Sequence, residues 1–384
     1  MKIAYVVARP LEINTSASLR NRAIINGLVE LGHTVTLYCS KYDSSHPNFD
    51  FSIKSEAQKV CFLEVGRAQK LQSIGRNVSI LNPIRKFLYK WKMDRSIYGD
   101  YSTFGKLEII NHFEEYDLII SSSDPKSSHL LVYNELNKAR KEVPWIQIWG
   151  DPFMTDITRR SVNNEQVFEE EKKLLSKATK IFYVSPLTLK KQRKLFEIYS
   201  KKMFFVPIPF ANEKNFTNRN LKNIPYVKFL YAGDFNSNVR DISPLIEYFS
   251  HPNNKHQLYI AGIGDIKKFN KEKIHLKGRV SYTEIEKLED QTDVLVFLSN
   301  KRGNQIPGKI YQYSGTNKPI LFINDGEYKE QIQEYFDPIG RYFFCDNVIS
   351  SIENTIDKII LSNQSFYPVD EFKSKHIAKK IITM

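Results

Sequence analysis

The feature that most constrains this chain is a recurrence of short runs of β-branched and aromatic residues with helical stretches between them. In the first half these runs occupy 2–8, 34–39, 117–123, 145–149, 181–185 and 203–207. In the second they occupy 229–233, 257–262, 274–277, 294–299, 319–323 and 341–345. Runs that are apolar on both faces and separated by helices fit parallel strands covered on each side, not a half-solvated antiparallel sheet. The pattern predicts an α/β chain of two Rossmann-like domains, 1–207 and 229–368, facing each other across a cleft. Residues 208–228, IPFANEKNFTNRNLKNIPYVK, carry Pro and Asn without periodicity and read as the linker. In 369–384, Phe372, Ile377 and Ile381 share a stripe, which predicts a terminal helix packing across both domains.

The 384 residues, 41% of them hydrophobic, are enough to bury substantial cores. The three cysteines, Cys39, Cys61 and Cys345, are far apart and form no C-x-x-C pair, so neither a disulfide framework nor a thiolate metal site is expected. That usage fits a reducing, cytoplasmic setting. The opening MKIAYVVARP is too short an apolar run for a signal-peptide core, and no later run approaches the roughly 20 apolar residues of a membrane span. A formal charge of +13 suits phosphate-bearing substrates, nucleic acid or an acidic membrane face, and lysine-rich coding bias accounts for it equally well.

Distribution narrows the choice. After the first strand a polar loop, Asn14 to Ser18, leads into a helix that Ser16 or Ser18 can cap. A loop at the carboxyl end of the first strand lies in the usual ligand crevice of an open α/β sheet, and Arg20 adds positive charge there. A plain strand, turn and helix with solvated arginines is the simpler reading of that motif. SSSDPKSSHLL and VPWIQIWGDPF then place Asp124, His129 and Asp151 after two strands or on the helix between them, which are site positions in this architecture. A histidine on the inner face of a helix is more often a satisfied core residue than a catalyst. Asp151 follows an aromatic run and precedes Pro152, so the chain turns away and its carboxylate is expected to point into the cleft.

In 294–323, Gly303 to Lys309 matches the glycine-x4-glycine-lysine part of a Walker A loop. The next residue, Ile310, has no hydroxyl for Mg²⁺, and Pro307 removes a backbone N–H that would cradle phosphate, so that reading fails. What survives is a Pro307-Gly308 turn opening a short helix with Lys309 in its first turn, a cation suited to a diphosphate. Arg240, in the loop after the strand that ends at Gly233, can approach the same phosphates. A surface position for both cations is the bland alternative. Gly262-Ile263-Gly264 lacks the third glycine of a dinucleotide fingerprint, which argues against a dehydrogenase.

With these residues in place, the chain resembles a GT-B glycosyltransferase of family 4 along almost its whole length. The resemblance rests on the opening strand with its Leu-Gly-His-Thr-Val turn, VPWIQIWGDPF, YAGDF, IHLKGRVSYTEI and IPGKIYQYSGTNKPIL, taken in order. It implies a retaining transfer, a nucleotide diphosphate sugar donor in the C-terminal domain and no essential metal or other cofactor. It also implies a glycan or lipid-linked acceptor, and a role in assembling a bacterial surface polysaccharide. Where the family typically carries two glutamates separated by seven residues, this chain has Asn304 and Gln312. Amides keep hydrogen-bonding capacity but lose charge, which puts the choice of sugar and activity itself in question. YAGDF also lacks the Gly-Arg that some members show. A degenerate GT-B protein that binds nucleotide or glycan without chemistry is therefore the rival reading.

Residues 66–106 mix Arg85, Lys86, Lys90 and Lys92 with Phe87, Tyr89 and Trp91. That composition suits the anionic inner face of a cell membrane, where a lipid-linked acceptor would be presented, a nucleic-acid-binding surface, which is the weaker rival for the whole chain, or a helical hairpin with a solvated face. No helix-turn-helix, RNA-recognition or zinc signature is visible, so nucleic acid is not an expected partner.

Overall fold

The computed structural model describes residues 1–42, 44, 46, 48–63, 83, 87, 97, 98, 115–139, 142–156, 163–265 and 272–384. Most of the basic 66–106 segment, and with it the membrane reading, lies outside the described residues. The chain divides into two compact units: Met1–Ile208 with Ser374–Met384, and Pro209–Lys373.

Unit 1 is a parallel sheet of β1 (Lys2–Val7), β2 (Thr34–Cys39), β3 (Lys59–Phe62), β4 (Leu118–Ser122), β5 (Trp145–Trp149), β6 (Lys180–Tyr183) and β7 (Met203–Phe205). Its order is β3-β2-β1-β4-β5-β6-β7. Helices α1 (Ser16–Glu30), α2 (Ser127–Leu136), α3 (Asn164–Lys177) and α4 (Pro186–Leu195) connect the strands. The central strands are buried on both faces, as parallel strands under crossover helices must be. The edge strand β3 escapes the periodicity argument because it is only four residues long, and Val60 and Phe62, which share a face, are both exposed.

Capping sets where the helices begin. Thr15, not Ser16 or Ser18, caps α1: its Oγ1 accepts the Ser18 N–H at 3.1 Å. Ser16 is exposed in the first turn, while the Ser18 hydroxyl is buried against Thr15 at 3.0 Å. The cap falls one residue early because its acceptor must reach the N–H three positions on. Ser185 caps α4 in the same way, Asn163 caps α3 by accepting the N–H two positions on, from Glu165, and Gly32 at φ 82° turns the chain after α1.

Unit 2 is a second parallel sheet of β8 (Lys228–Ala232), β9 (Gln257–Ala261), β10 (Ile274–Leu276), β11 (Val294–Leu298), β12 (Ile320–Asn324) and β13 (Tyr342–Asp346), in the order β10-β9-β8-β11-β12-β13. Its helices are α5 (Ser243–Ser250), α6 (Tyr282–Gln291), α7 (Lys309–Ser314), α8 (Lys329–Phe336) and α9 (Ile349–Leu361). The segment read as a linker is built into this unit: Lys214 N–H donates to the Gly315 carbonyl at 2.9 Å and Phe216 N–H to Asn317 Oδ1 at 2.9 Å. The terminal helix α10 (Ser374–Thr383) belongs to unit 1, where it lies on α1. A Cβ on Gly27 of α1 would fall 2.2 Å from the Ser374 carbonyl oxygen, so the two backbones touch there. Phe372, expected on the same stripe as Ile377 and Ile381, instead packs edge-on against Tyr311 within unit 2, 4.9 Å between ring centres.

Strand order reverses between β1 and β4 in unit 1 and between β8 and β11 in unit 2. Open α/β sheets place ligands outside the carboxyl ends of the strands at such reversals.

Candidate functional site

In unit 1 an arginine spans the reversal. Arg20, on α1 just after β1, is only 4% exposed and donates Nη2 to Ser122 Oγ at the end of β4, 3.4 Å away. Gly150, following β5, makes room for it: a Cβ there would sit 2.8 Å from Arg20 Nη1. Burial lowers the guanidinium from its ordinary value against the pull of Asp124, Tyr5 and Asp151, and its Nε has no protein partner.

Around it stand the carboxylates. Lys126 bonds Asp156 at 2.7 Å and lies 3.5 Å from Asp124. Burial would depress this ammonium, but Asp124 and Asp156 outweigh it and hold it above its ordinary value. Asp151, half-buried at the end of β5, is pushed up to about 7 by burial first and by Asp124 and Asp156 second, with Lys126 and Arg20 opposing. A carboxyl that titrates near neutrality can exchange a proton with a substrate hydroxyl.

His129 is fully buried on α2. Its Nδ1 lies 2.7 Å from Ser121 Oγ, and its ring packs on Trp149 with 4.1 Å between centres. The Trp145 indole N–H donates to the same Ser121 oxygen at 2.8 Å. Burial, then Arg20 and Lys126, hold this imidazole well below its ordinary value, so it stays neutral. The geometry is that of a core histidine orienting the end of β4. Lys126 and Asp156 are the partners that sequence reasoning passed over, although Lys126 stands within the same SSSDPKSSHLL run.

In unit 2 Arg240 spans the corresponding reversal. Its Nε donates to Asn300 Oδ1 after β11 at 2.9 Å, and its Nη1 to the Asp234 carbonyl after β8 at 3.1 Å. Gly233 lies beneath it, the site of an added Cβ being 3.5 Å from Nη1. Lys309, the first residue of α7 after Gly308, sends its ammonium to Glu289 of α6 at 3.7 Å. Burial lowers this amine, with Glu289 opposing and Lys214 adding to the fall. Glu289, 3% exposed, also bonds Lys214 at 2.7 Å, so Lys309 belongs to a buried charge network. Nothing in the sequence of an amphipathic helix marks Glu289 as that partner. Asn304 is buried, and Gln312 spends its amide on the backbone, Oε1 accepting from Ala211 N–H at 3.0 Å and Nε2 donating to the Pro209 carbonyl at 3.0 Å.

No family model and no curated protein matches the chain. Solved structures do. The chain is similar to the catalytic domain of starch synthase IV from Arabidopsis thaliana bound to ADP and acarbose, at TM-score 0.60 and 10% identity over 100% of this chain and 95% of that one. It is similar to sucrose-phosphate synthase from Thermosynechococcus elongatus, at 0.55 and 15% over 99% and 94%. UDP-GlcNAc 2-epimerase from Methanocaldococcus jannaschii matches at 0.51 and 11% over the full length of both. These likenesses, with two reversed parallel sheets, establish the GT-B fold of two Rossmann-like domains.

Proposed function

We propose that the chain is a glycosyltransferase that takes a sugar from a nucleotide diphosphate donor, unit 2 receiving the donor and unit 1 the acceptor. The observation that carries this reading is Arg240. It spans the strand reversal of unit 2, where α/β sheets receive ligands, and donates to neutral acceptors, Asn300 and a carbonyl, so its charge is available to a phosphate. The fold supports the same reading, since a transferase whose structure holds ADP and an epimerase of UDP-GlcNAc share it. Asp151, titrating near neutrality beside Asp124, supplies an acceptor-side proton exchange in unit 1. His129 orients the end of β4.

The finer reading follows from the resemblance: transfer with retention to a glycan or lipid-linked acceptor, in surface-polysaccharide assembly at the inner membrane face. Fixed cations in place of a bound metal stabilise the departing diphosphate. The test is to incubate the protein with a panel of nucleotide sugars and candidate acceptors in excess EDTA and read the anomeric coupling of the product by NMR. Turnover with a retained configuration is expected. Turnover abolished by EDTA, or an inverted product, overturns the mechanism.

Asn304 and Gln312 favour a second reading, a protein that binds nucleotide or glycan without chemistry. Asn304 is buried, and Gln312 is tied to the linker backbone. Nucleotide binding with neither transfer nor donor hydrolysis would select it.

A further inference from the structure

Asp234 is where three loops of unit 2 meet. Arg279, following β10, grips its carboxylate with two prongs, Nη2 on Oδ2 and Nε on Oδ1 at 3.2 Å. Oδ1 also accepts the Ile263 N–H, following β9, at 3.1 Å. The carbonyl of the same residue accepts Arg240. Burial would raise the Asp234 carboxyl, but the bonds from Arg279 and Ile263 outweigh it and hold it below its ordinary value.

Asp234 thus joins two guanidinium groups, Arg279 on its carboxylate and Arg240 on its carbonyl, at the carboxyl ends of β8 and β10. Other cations near the strand ends answer to carboxylates, Lys309 and Lys214 to Glu289 and Glu286 and Lys301 to Asp241 at 3.7 Å. The loop backbones at the hub are pressed together, since a Cβ on Gly262 would fall 2.0 Å from the Gly233 carbonyl oxygen. Arg279 itself is 52% exposed, anchored at its guanidinium yet open to a ligand from solution.

We propose that Arg279 is the second cation of the donor-phosphate site: Asp234 holds its guanidinium beside Arg240, and the two arginines together receive a nucleoside diphosphate. A planar fork fixed by a carboxylate is pre-organised for phosphate oxygens, so little freedom is lost on binding. The inference rests on the nucleotide-sugar reading above.

Calorimetry on the full chain tests it, using whichever of UDP, GDP and ADP binds the wild type most tightly, together with the matching nucleoside. Arg279→Ala is expected to weaken diphosphate binding about tenfold or more while leaving the nucleoside within about twofold. After Asp234→Asn has released the anchor, the same change is expected to cost less than about threefold, the signature of a coupled pair. Unchanged diphosphate affinity in Arg279→Ala, or an equal loss for the nucleoside, overturns the proposal. A wild type that binds none of the three nucleotides refutes instead the donor reading on which it stands.

Discussion

Arg20 donates Nη2 to Ser122 Oγ across the strand reversal of unit 1, as Arg240 donates Nε to Asn300 Oδ1 across that of unit 2. The two arginines occupy equivalent places in their sheets and opposite environments. Arg20 is sealed under Gly150 and ringed by carboxylates, whereas Arg240 donates to neutral acceptors and shares the field of one carboxylate, Asp234, with Arg279.

Gly150→Ala tests the seal. Its new Cβ meets Arg20 Nη1 at 2.8 Å, and a buried guanidinium has little room to retreat. The variant is expected to lose about 1–3 kcal/mol by urea denaturation, as overpacked cores do. Adding Arg20→Ala should make the two costs less than additive. Wild-type stability in Gly150→Ala would mean that the guanidinium does not rest against this backbone.

Asp151 sets a pH dependence. Its folded value of about 7 lies above the ordinary 3.8, so between those limits the folded chain holds a proton that the unfolded chain has released. Stability from this group is complete below about pH 4 and falls as pH rises toward about 7. Asp151→Asn removes the loss, so at pH 8 the variant should be more stable than wild type by about 1 kcal/mol or more, with near-equal stability at pH 4. Denaturant titrations at the two pH values decide it, and a gap that does not change with pH would place the carboxyl in an ordinary environment.

Arg240→Ala removes the group that spans the reversal in unit 2. Loss of a charge-assisted hydrogen bond is expected to weaken nucleoside diphosphate binding by roughly 1.5–3 kcal/mol, with Arg240→Lys falling between. Isothermal titration at two salt concentrations reads both the loss and a shallower salt dependence. Equal affinities would show that the phosphates lie elsewhere.

Glu289→Gln strips the buried carboxylate from Lys214 and Lys309, leaving Glu286, 3.2 Å from Lys214, as the remaining acid. Breaking a buried pair from one side strands the other charge, so a loss of about 2–3 kcal/mol is expected, at the lower end because both lysines are partly exposed. The midpoint of guanidinium unfolding measures it. A neutral outcome would free Lys309 for the role its position in the sequence suggests.

The fold was legible wherever a strand is buried on both faces, because such runs need no partner to be recognised. β3 was not, since the four residues Lys59 to Phe62 are held by backbone pairing with β2 and bury neither face fully. For the candidate site, chain order was enough to place Asp151 and Arg240 after the carboxyl ends of strands and Arg20 on the helix that follows β1. It could not disclose what each side chain spends itself on. No local motif shows that Lys309 reaches Glu289, or that Gln312 bonds the Ala211 N–H and the Pro209 carbonyl. Pairings across helices leave no trace in a local motif.

The return of α10 to unit 1 bears on synthesis. Unit 2 is one continuous stretch, 209–373, whereas unit 1 needs Ile377, Ala378 and Ile381 to cover α1 and must wait for them. Residues 1–208 therefore leave the ribosome lacking one side and lack it until all of 209–373 has been made. Each buried isoleucine contributes on the order of 1.5–3 kcal/mol, so until they arrive the first-made unit is the more exposed to chaperones and proteases.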